Sequence, residues 1–323
     1  MKSRMEPGEC SVDPSRLNRP PPPMKKPSLR VVLPLSLACA ALVLGCHSSP
    51  KAPPHEFSSA AAGARPLPTR LRSGVEHDAV RSEFGEPYVL NFSGLDGGGA
   101  LLYFGGRHTS DRSDPQVEDI RTRWASFEPT VALCEGRQGR HWYGFLVEPF
   151  AGLPEPTLVH KLARRDDVRL VSLEPEYDVE VASLLRAFEA KDVALYFFLR
   201  VYANESGGDP DEGLARDLLG KRTDVDGLRE SLTTLGDVDA RWAELYPSAE
   251  DWRTVSAEPR EGRLALISNA SRATRGEHMA RVLTDLVLTG ERVFAVVGSG
   301  HVIRQEWALR RWLGQEPAPD QPE

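Results

Sequence analysis

Short apolar runs that do not alternate with polar residues recur along this chain, and segments of helical periodicity separate most of them. Thr130 to Cys134 reads TVALC, and Arg292 to Val297 reads RVFAVV. A strand with one wet face alternates, whereas a strand apolar on both sides belongs in a sheet covered on both faces. Tyr88 to Phe92, Ala100 to Phe104 and Val168 to Leu173 supply further strands, the first two separated by the glycine-dense GLDGGG as a hairpin or a strand entered through a tight loop. Asp114-Pro115 offers an N-cap followed by Pro at the first helical position, and Val117, Ile120, Trp124 and Phe127 continue at helical spacing. Helices are also predicted at Thr157 to Arg165, around Met279 to Val287 and from Val302 to Leu313. Parallel neighbours need a crossover, so this alternation predicts an α/β fold with a largely parallel β-sheet flanked by helices.

The middle of the chain departs from that pattern. Tyr177 to Asn204 is apolar on more than one face, with ALYFFLRVY at its centre, and residues 209 to 254 place Leu214, Leu218, Leu219, Leu228, Leu232 and Leu235 at helical spacing. Arg186, Glu189, Lys191, Asp192 and Arg200 interrupt the apolar stretch, which makes it a core helix pair rather than a membrane span. The whole is a helical insertion.

Upstream, the sequence reads as an address. Val31 to Gly45 is apolar and follows Lys25, Lys26 and Arg30; at fifteen residues it falls short of the ~20 needed to span a bilayer and has the layout of a secretory signal. It ends Val43-Leu44-Gly45-Cys46, which resembles the lipobox of bacterial lipoproteins and implies lipidation at Cys46. The expected divisions are residues 1–23, an odd extension ahead of the better start Met24; 24–45, the signal peptide; 46–82, a disordered Pro/Ala/Ser-rich tether; 83–316, one domain; and 317–323, a disordered tail. The implied place is the bacterial cell envelope, lipid-anchored to the outer membrane ahead of the inner, with the domain in the periplasm or at the cell surface. Only Cys46 and Cys134 of the four cysteines lie beyond the signal, so no internal disulfide is predicted. Residues 1–45 carry seven Lys/Arg against three Asp/Glu, which leaves 33 against 44 in the rest. A body this acidic excludes nucleic acid as a partner, since that binding relies on cationic side chains displacing counterions.

In open parallel sheets ligands bind outside the carboxyl ends of the strands. Those positions hold Gly105-Gly106-Arg107-His108, Glu135-Gly136, Glu174-Pro175 and Gly298-Ser299-Gly300-His301. Two of the chain's eight histidines thus share a Gly-x-x-His context after an apolar strand. Glycines let the backbone turn sharply and approach a ligand, while His with carboxylate suits a borderline divalent ion or general-base activation of water.

The segments GGRH, CEG, SLEP and RGEHMARVLTDLVLTGERVFAVVGSGHV together resemble the TraB/Tiki superfamily, with its erythromycin-esterase-like and ChaN-like relatives, over about residues 88 to 313. The resemblance implies one pocket bordered by the motif glycines Gly105, Gly106, Gly298 and Gly300. In it His108, Glu135 and His301 would act in catalysis and hold a divalent metal (Mn, Co or Zn), with Arg107, Glu174 and Arg275 contacting a peptide or small-molecule substrate. It implies a metal-dependent hydrolase of peptide or ester bonds; the alternative is a lipoprotein that binds haem or a small ligand without turnover. Esterase-like and ChaN-like relatives usually show Gly-Glu-x-x-His, and Gly106 stands where that Glu would be, which removes one carboxylate from the expected site. Arg275 is read as a substrate or Glu135 contact or as a solvated first-turn residue, His278 as solvent-facing and Cys134 as buried packing. Asn269 and Ser271 are candidates for the pocket mouth.

Overall fold

Strands β1 (Tyr88–Phe92), β2 (Ala100–Gly106), β3 (Val131–Cys134), β4 (Arg169–Ser172) and β5 (Arg292–Gly298) form one sheet in the order β1-β2-β5-β3-β4. β1 runs antiparallel to β2 and every other neighbour is parallel. This computed structural model describes residues 70–93, 98–109, 111–136, 154–255 and 261–315; the signal segment, Cys46, most of the expected tether and the tail 317–323 lie outside them.

Because side chains alternate across a strand, β2 and β5 each feed two cores. Leu101, Tyr103, Val293, Ala295 and Val297 meet Met279, Leu283 and Leu286 of α8 (Gly262–Leu288) and Val302 and Leu309 of α9 (Ser299–Trp312). Leu102, Phe104, Phe294 and Val296 meet Ile120, Trp124 and Phe127 of α2 (Pro115–Phe127) and Leu158 and Leu162 of α3 (Pro154–Arg165). The Trp124 ring stands edge-on to Phe294, centroids 5.2 Å apart, a favoured aromatic arrangement. The lack of alternation in RVFAVV thus has its cause in helices on both faces.

The helical insertion comprises α4 (Tyr177–Leu184), α5 (Ala190–Ser206), α6 (Glu212–Thr223), α7 (Leu235–Leu245) and a 3₁₀ turn at Trp252–Thr254. It has a core of its own, with Phe198, Tyr202, Leu228 and Trp252 packed against Leu264 and Ile267 of α8. Asp192 is fully buried there and is held by Arg241 and Arg263. α8 has 27 residues, about 40 Å, so one end sits in this core and the other on the sheet. Among the described residues, no helix is long and apolar enough to cross a membrane.

One boundary differs from expectation. α1 (Gly74–Phe84) falls largely inside the stretch read as tether, so the folded part reaches back to about Arg70. Ser73 and Glu76 form a capping box at its start. Docking comes from Arg72, whose buried guanidinium pairs with Glu306 at 2.6 Å and donates to the Ile303 carbonyl at 2.7 Å. Only His77 of α1 is buried, so the segment offers no apolar stripe that periodicity can detect.

Candidate functional site

Parallel pairing puts the carboxyl ends of β2, β5 and β3 side by side, with Gly106 opposite Gly298 and Cys134 opposite Val296. The chain passes from β2 over to β3 and later returns to insert β5 between them, so the residues leaving these strands face one crevice. Glu135 is pinned at the end of β3 by its N–H, which donates to the Val296 carbonyl at 3.1 Å.

The two Gly-x-x-His motifs meet at that carboxylate. His301 Nε2 lies 3.4 Å from Glu135 Oε1, and His108 Nε2 lies 3.7 Å from Oε2. Gly298, the N-cap of α9, donates its N–H to Oε2 at 2.8 Å, so the carboxylate also sits at a helix N-terminus, where negative charge is favoured. Burial opposes ionisation of Glu135, but His301, the Gly298 N–H and His108 outweigh it and hold the carboxyl well below the usual range. His108 is about half exposed and His301 mostly covered, with side-chain exposures of 54% and 19%. His108 is therefore the ring better placed to meet water or substrate.

Behind Glu135 lies a buried ion pair. Arg275 Nη2 donates to Glu174 Oε1 and stands 3.8 Å from Glu135 Oε1. Glu174 and Arg275, both expected to contact substrate, are buried and pair with each other. Arg275 is not in a first turn, because α8 begins thirteen residues earlier, at Gly262. Arg107 turns its guanidinium to both oxygens of Asp114, the N-cap of α2, at 2.9 Å each. Ser271 is buried and donates to Glu180, while Asn269 is exposed and accepts from Arg272. Cys134 is a buried thiol outside any disulfide.

The cleft itself is lined by Gly106, His108, Glu135, Glu155, Val296 and Val297 and encloses about 190 Å³ including its open mouth. Glu155 escaped the sequence reading. Its carboxyl stands over Gly106, where a Cβ would come 3.6 Å from Oε1, so the carboxylate expected to be missing at position 106 has a counterpart delivered by α3. Gln116 holds it: Nε2 donates to Glu155 Oε1 at 2.8 Å and to the Arg107 carbonyl at 2.7 Å, and Oε1 accepts the Arg107 N–H at 3.0 Å. One amide thereby fixes the loop that carries His108. The signal available in sequence was Pro154-Glu155, a Pro and an acid at a helix start.

Two imidazoles and a carboxylate are a donor set suited to a divalent ion. Here each ring faces a different oxygen of Glu135, Arg275 adds positive charge, and among the described residues no group of three His, Cys, Asp or Glu side chains is disposed to hold a metal ion. No step below is routed through an ion.

The motif glycines separate fold from chemistry. An added Cβ at Gly105 would meet backbone, Ser299 Cα and the Tyr88 carbonyl oxygen, both at 2.8 Å, so Gly105→Ala is expected to cost about 1–3 kcal/mol. At Gly298 it would meet the His108 ring, 2.6 Å from Nε2, and that ring is free to swing outward. Gly298→Ala is expected to melt close to the parent while turning the His108 ring away from Glu135. Melting and ring ¹⁵N shift measurements check this, and histidine shifts identical to the parent's contradict it.

His278 is not solvent-facing as expected: Nε2 is buried and has no hydrogen-bond partner among the described residues. Burial, then Arg281, lowers its pKa to about 4, with Glu174 acting the other way. The unfolded chain therefore takes up more protons from about pH 6.5 down to about 4, and the stability that neutral His278 confers is full above about pH 6.5 and lost as pH falls through that window. In urea unfolding, His278→Leu is expected to lose less stability than the parent between about pH 7 and about pH 5, the whole effect being on the order of 3 kcal/mol at most. Parallel pH profiles for the two proteins would refute it.

Comparison of the chain with protein-family models, with curated proteins and with solved structures finds no match in any of the three, so the superfamily resemblance rests on the motifs quoted above.

Proposed function

We propose that this chain is a hydrolase of a carbonyl-centred bond, peptide or ester, in which His108 activates water and Glu135 orients it. One observation carries the reading: imidazoles from two separate Gly-x-x-His motifs flank the two oxygens of a single strand-end carboxylate. Glu135 Oε2 stands 3.7 Å from His108 Nε2, beyond hydrogen-bond reach but near enough for its charge to stabilise the imidazolium formed when the ring takes a proton from water. The orienting third group generalises the logic of catalytic triads. His301, on the first turn of α9, fixes Glu135 from its other side.

The TraB/Tiki resemblance supports the same residues, and the lipobox at Cys46 supports anchorage of the domain to the bacterial envelope by lipid.

The test is turnover of chromogenic esters and peptides by the purified full chain. Hydrolysis lost in both His108→Ala and His301→Ala is the expected result, and turnover unchanged in both overturns the reading. Metal content of the same samples decides whether the donors close around an ion in solution.

A further inference from the structure

Glu155 is a carboxyl the chemistry above leaves unused. It is 3% exposed yet lines the cleft with His108 and Glu135. Its Oε1 accepts from Gln116 Nε2 at 2.8 Å and from the Thr109 N–H at 3.3 Å, whereas Oε2 is buried and has no hydrogen-bond partner among the described residues. No Arg or Lys pairs with it among those residues. A buried carboxyl with no cation beside it and one oxygen without a donor is favoured in its neutral form, because desolvation penalises the charge. The neutral form also explains the bare oxygen: a carboxylic acid carries one O–H, and that O–H has no acceptor until a ligand supplies one.

The two carboxyls of the cleft thus occupy opposite environments. Glu135 accepts from a helix N-terminus and lies between two imidazoles. Glu155 lies against a neutral amide and a backbone N–H. Burial accordingly pushes the Glu155 pKa up, against the opposing pull of its own backbone N–H, the Thr109 N–H and His108, while that of Glu135 is held down. Two titratable groups driven apart in this way are suited to acid and base roles in one reaction.

We propose that Glu155 is the proton donor to the leaving group, held in the cleft by Gln116 on the side of Gly106. The role rests on the hydrolase reading. Water oxygen bonds to the substrate carbonyl carbon as His108 takes one water proton. The tetrahedral adduct then collapses, the bond from carbon to nitrogen or alkoxy oxygen breaks, and the departing atom keeps the electron pair and takes the Glu155 proton. The imidazolium returns its proton to the Glu155 carboxylate through solvent. The sum is substrate plus water giving acid plus amine or alcohol, with both residues restored.

The experiment compares kcat/KM of the full chain on two esters of one acyl group, 4-nitrophenyl and ethyl. Nitrophenolate departs without a proton, whereas ethoxide needs one. In Glu155→Gln the ratio of nitrophenyl to ethyl kcat/KM is expected to rise about 100-fold, and the alkaline limb of the ethyl-ester pH profile to disappear. Gln116→Leu, which keeps the carboxyl but removes the amide that holds it, is expected to shift the same ratio in the same direction by a smaller factor, and it serves also if Glu155→Gln melts early. An unchanged ratio in both variants overturns the acid role while leaving the hydrolase reading intact. A parent protein that hydrolyses neither ester nor any peptide overturns the hydrolase reading, and the acid role falls with it.

Discussion

Replacing Arg275 by methionine is expected to lower folding stability by about 3–5 kcal/mol, a large part of the ~5–15 kcal/mol that holds a typical domain together. The guanidinium is buried in the middle of α8, paired with Glu174 and close to Glu135. Burial works against its charge, but Glu174 and then Glu135 outweigh that cost and raise its pKa. Methionine fills much of the volume yet leaves Glu174, also buried, with a desolvated charge and no cation. Removal of one partner is costly, whereas joint replacement by apolar residues of similar size is often nearly neutral. The double variant Arg275→Met, Glu174→Leu should therefore recover most of the loss. Denaturant unfolding gives the measure: the midpoint falls in the single variant at an unchanged slope, and rises again in the double. A double variant as unstable as the single one would show that side-chain packing, not charge pairing, sets the cost.

This ion pair marks where sequence reading stops. TVALC and RVFAVV disclose a sheet covered on both faces because burial on a strand is recorded locally, residue by residue. Strand ends then follow, and with them His108, Glu135 and His301, since the crevice of a parallel sheet depends on strand polarity alone. The sequence shows Arg275 but not its depth: α8 runs from Gly262, its N-terminal part packs on a different core, and the two apolar faces blur the period that would place an Arg inside. α1 leaves no sequence signal because an ion pair spanning 234 residues docks it, and no local pattern encodes such a contact. Glu155 was missed for a similar reason. It reaches the cleft from α3, where it occupies the space over Gly106, and nothing in the intervening sequence links the two positions. Polar residues that hold one another across a fold leave no periodic trace.

Glu135→Gln is the substitution with the largest expected effect on turnover, a fall of roughly a hundred- to ten-thousand-fold at little cost in folding near neutral pH. The carboxylate is engaged on both sides at once: Oε2 accepts the Gly298 N–H with His108 beyond it, and Oε1 faces His301 at 3.4 Å. An amide of the same shape offers one accepting oxygen, and its NH₂ turns one histidine's acceptor into a donor. If the oxygen stays with Gly298, His301 is the ring that must change tautomer or rotate; if it flips, the Gly298 N–H loses its partner. Either way the charge that steadies a protonated imidazole is gone. Stability gives a second readout with a definite sign. The folded-state pKa of Glu135 is depressed, so its contribution, on the order of a few kcal/mol, is full above the unfolded carboxyl pKa and is lost as pH falls below about 4.5. The Gln variant should lack that acid-side decline while keeping the one that His278 produces at higher pH. Turnover, ring ¹⁵N shifts and unfolding profiles taken together check the whole chain of argument. A Glu135→Gln protein with altered histidine shifts but undiminished turnover would show that this carboxylate shapes the crevice without serving the chemistry in it.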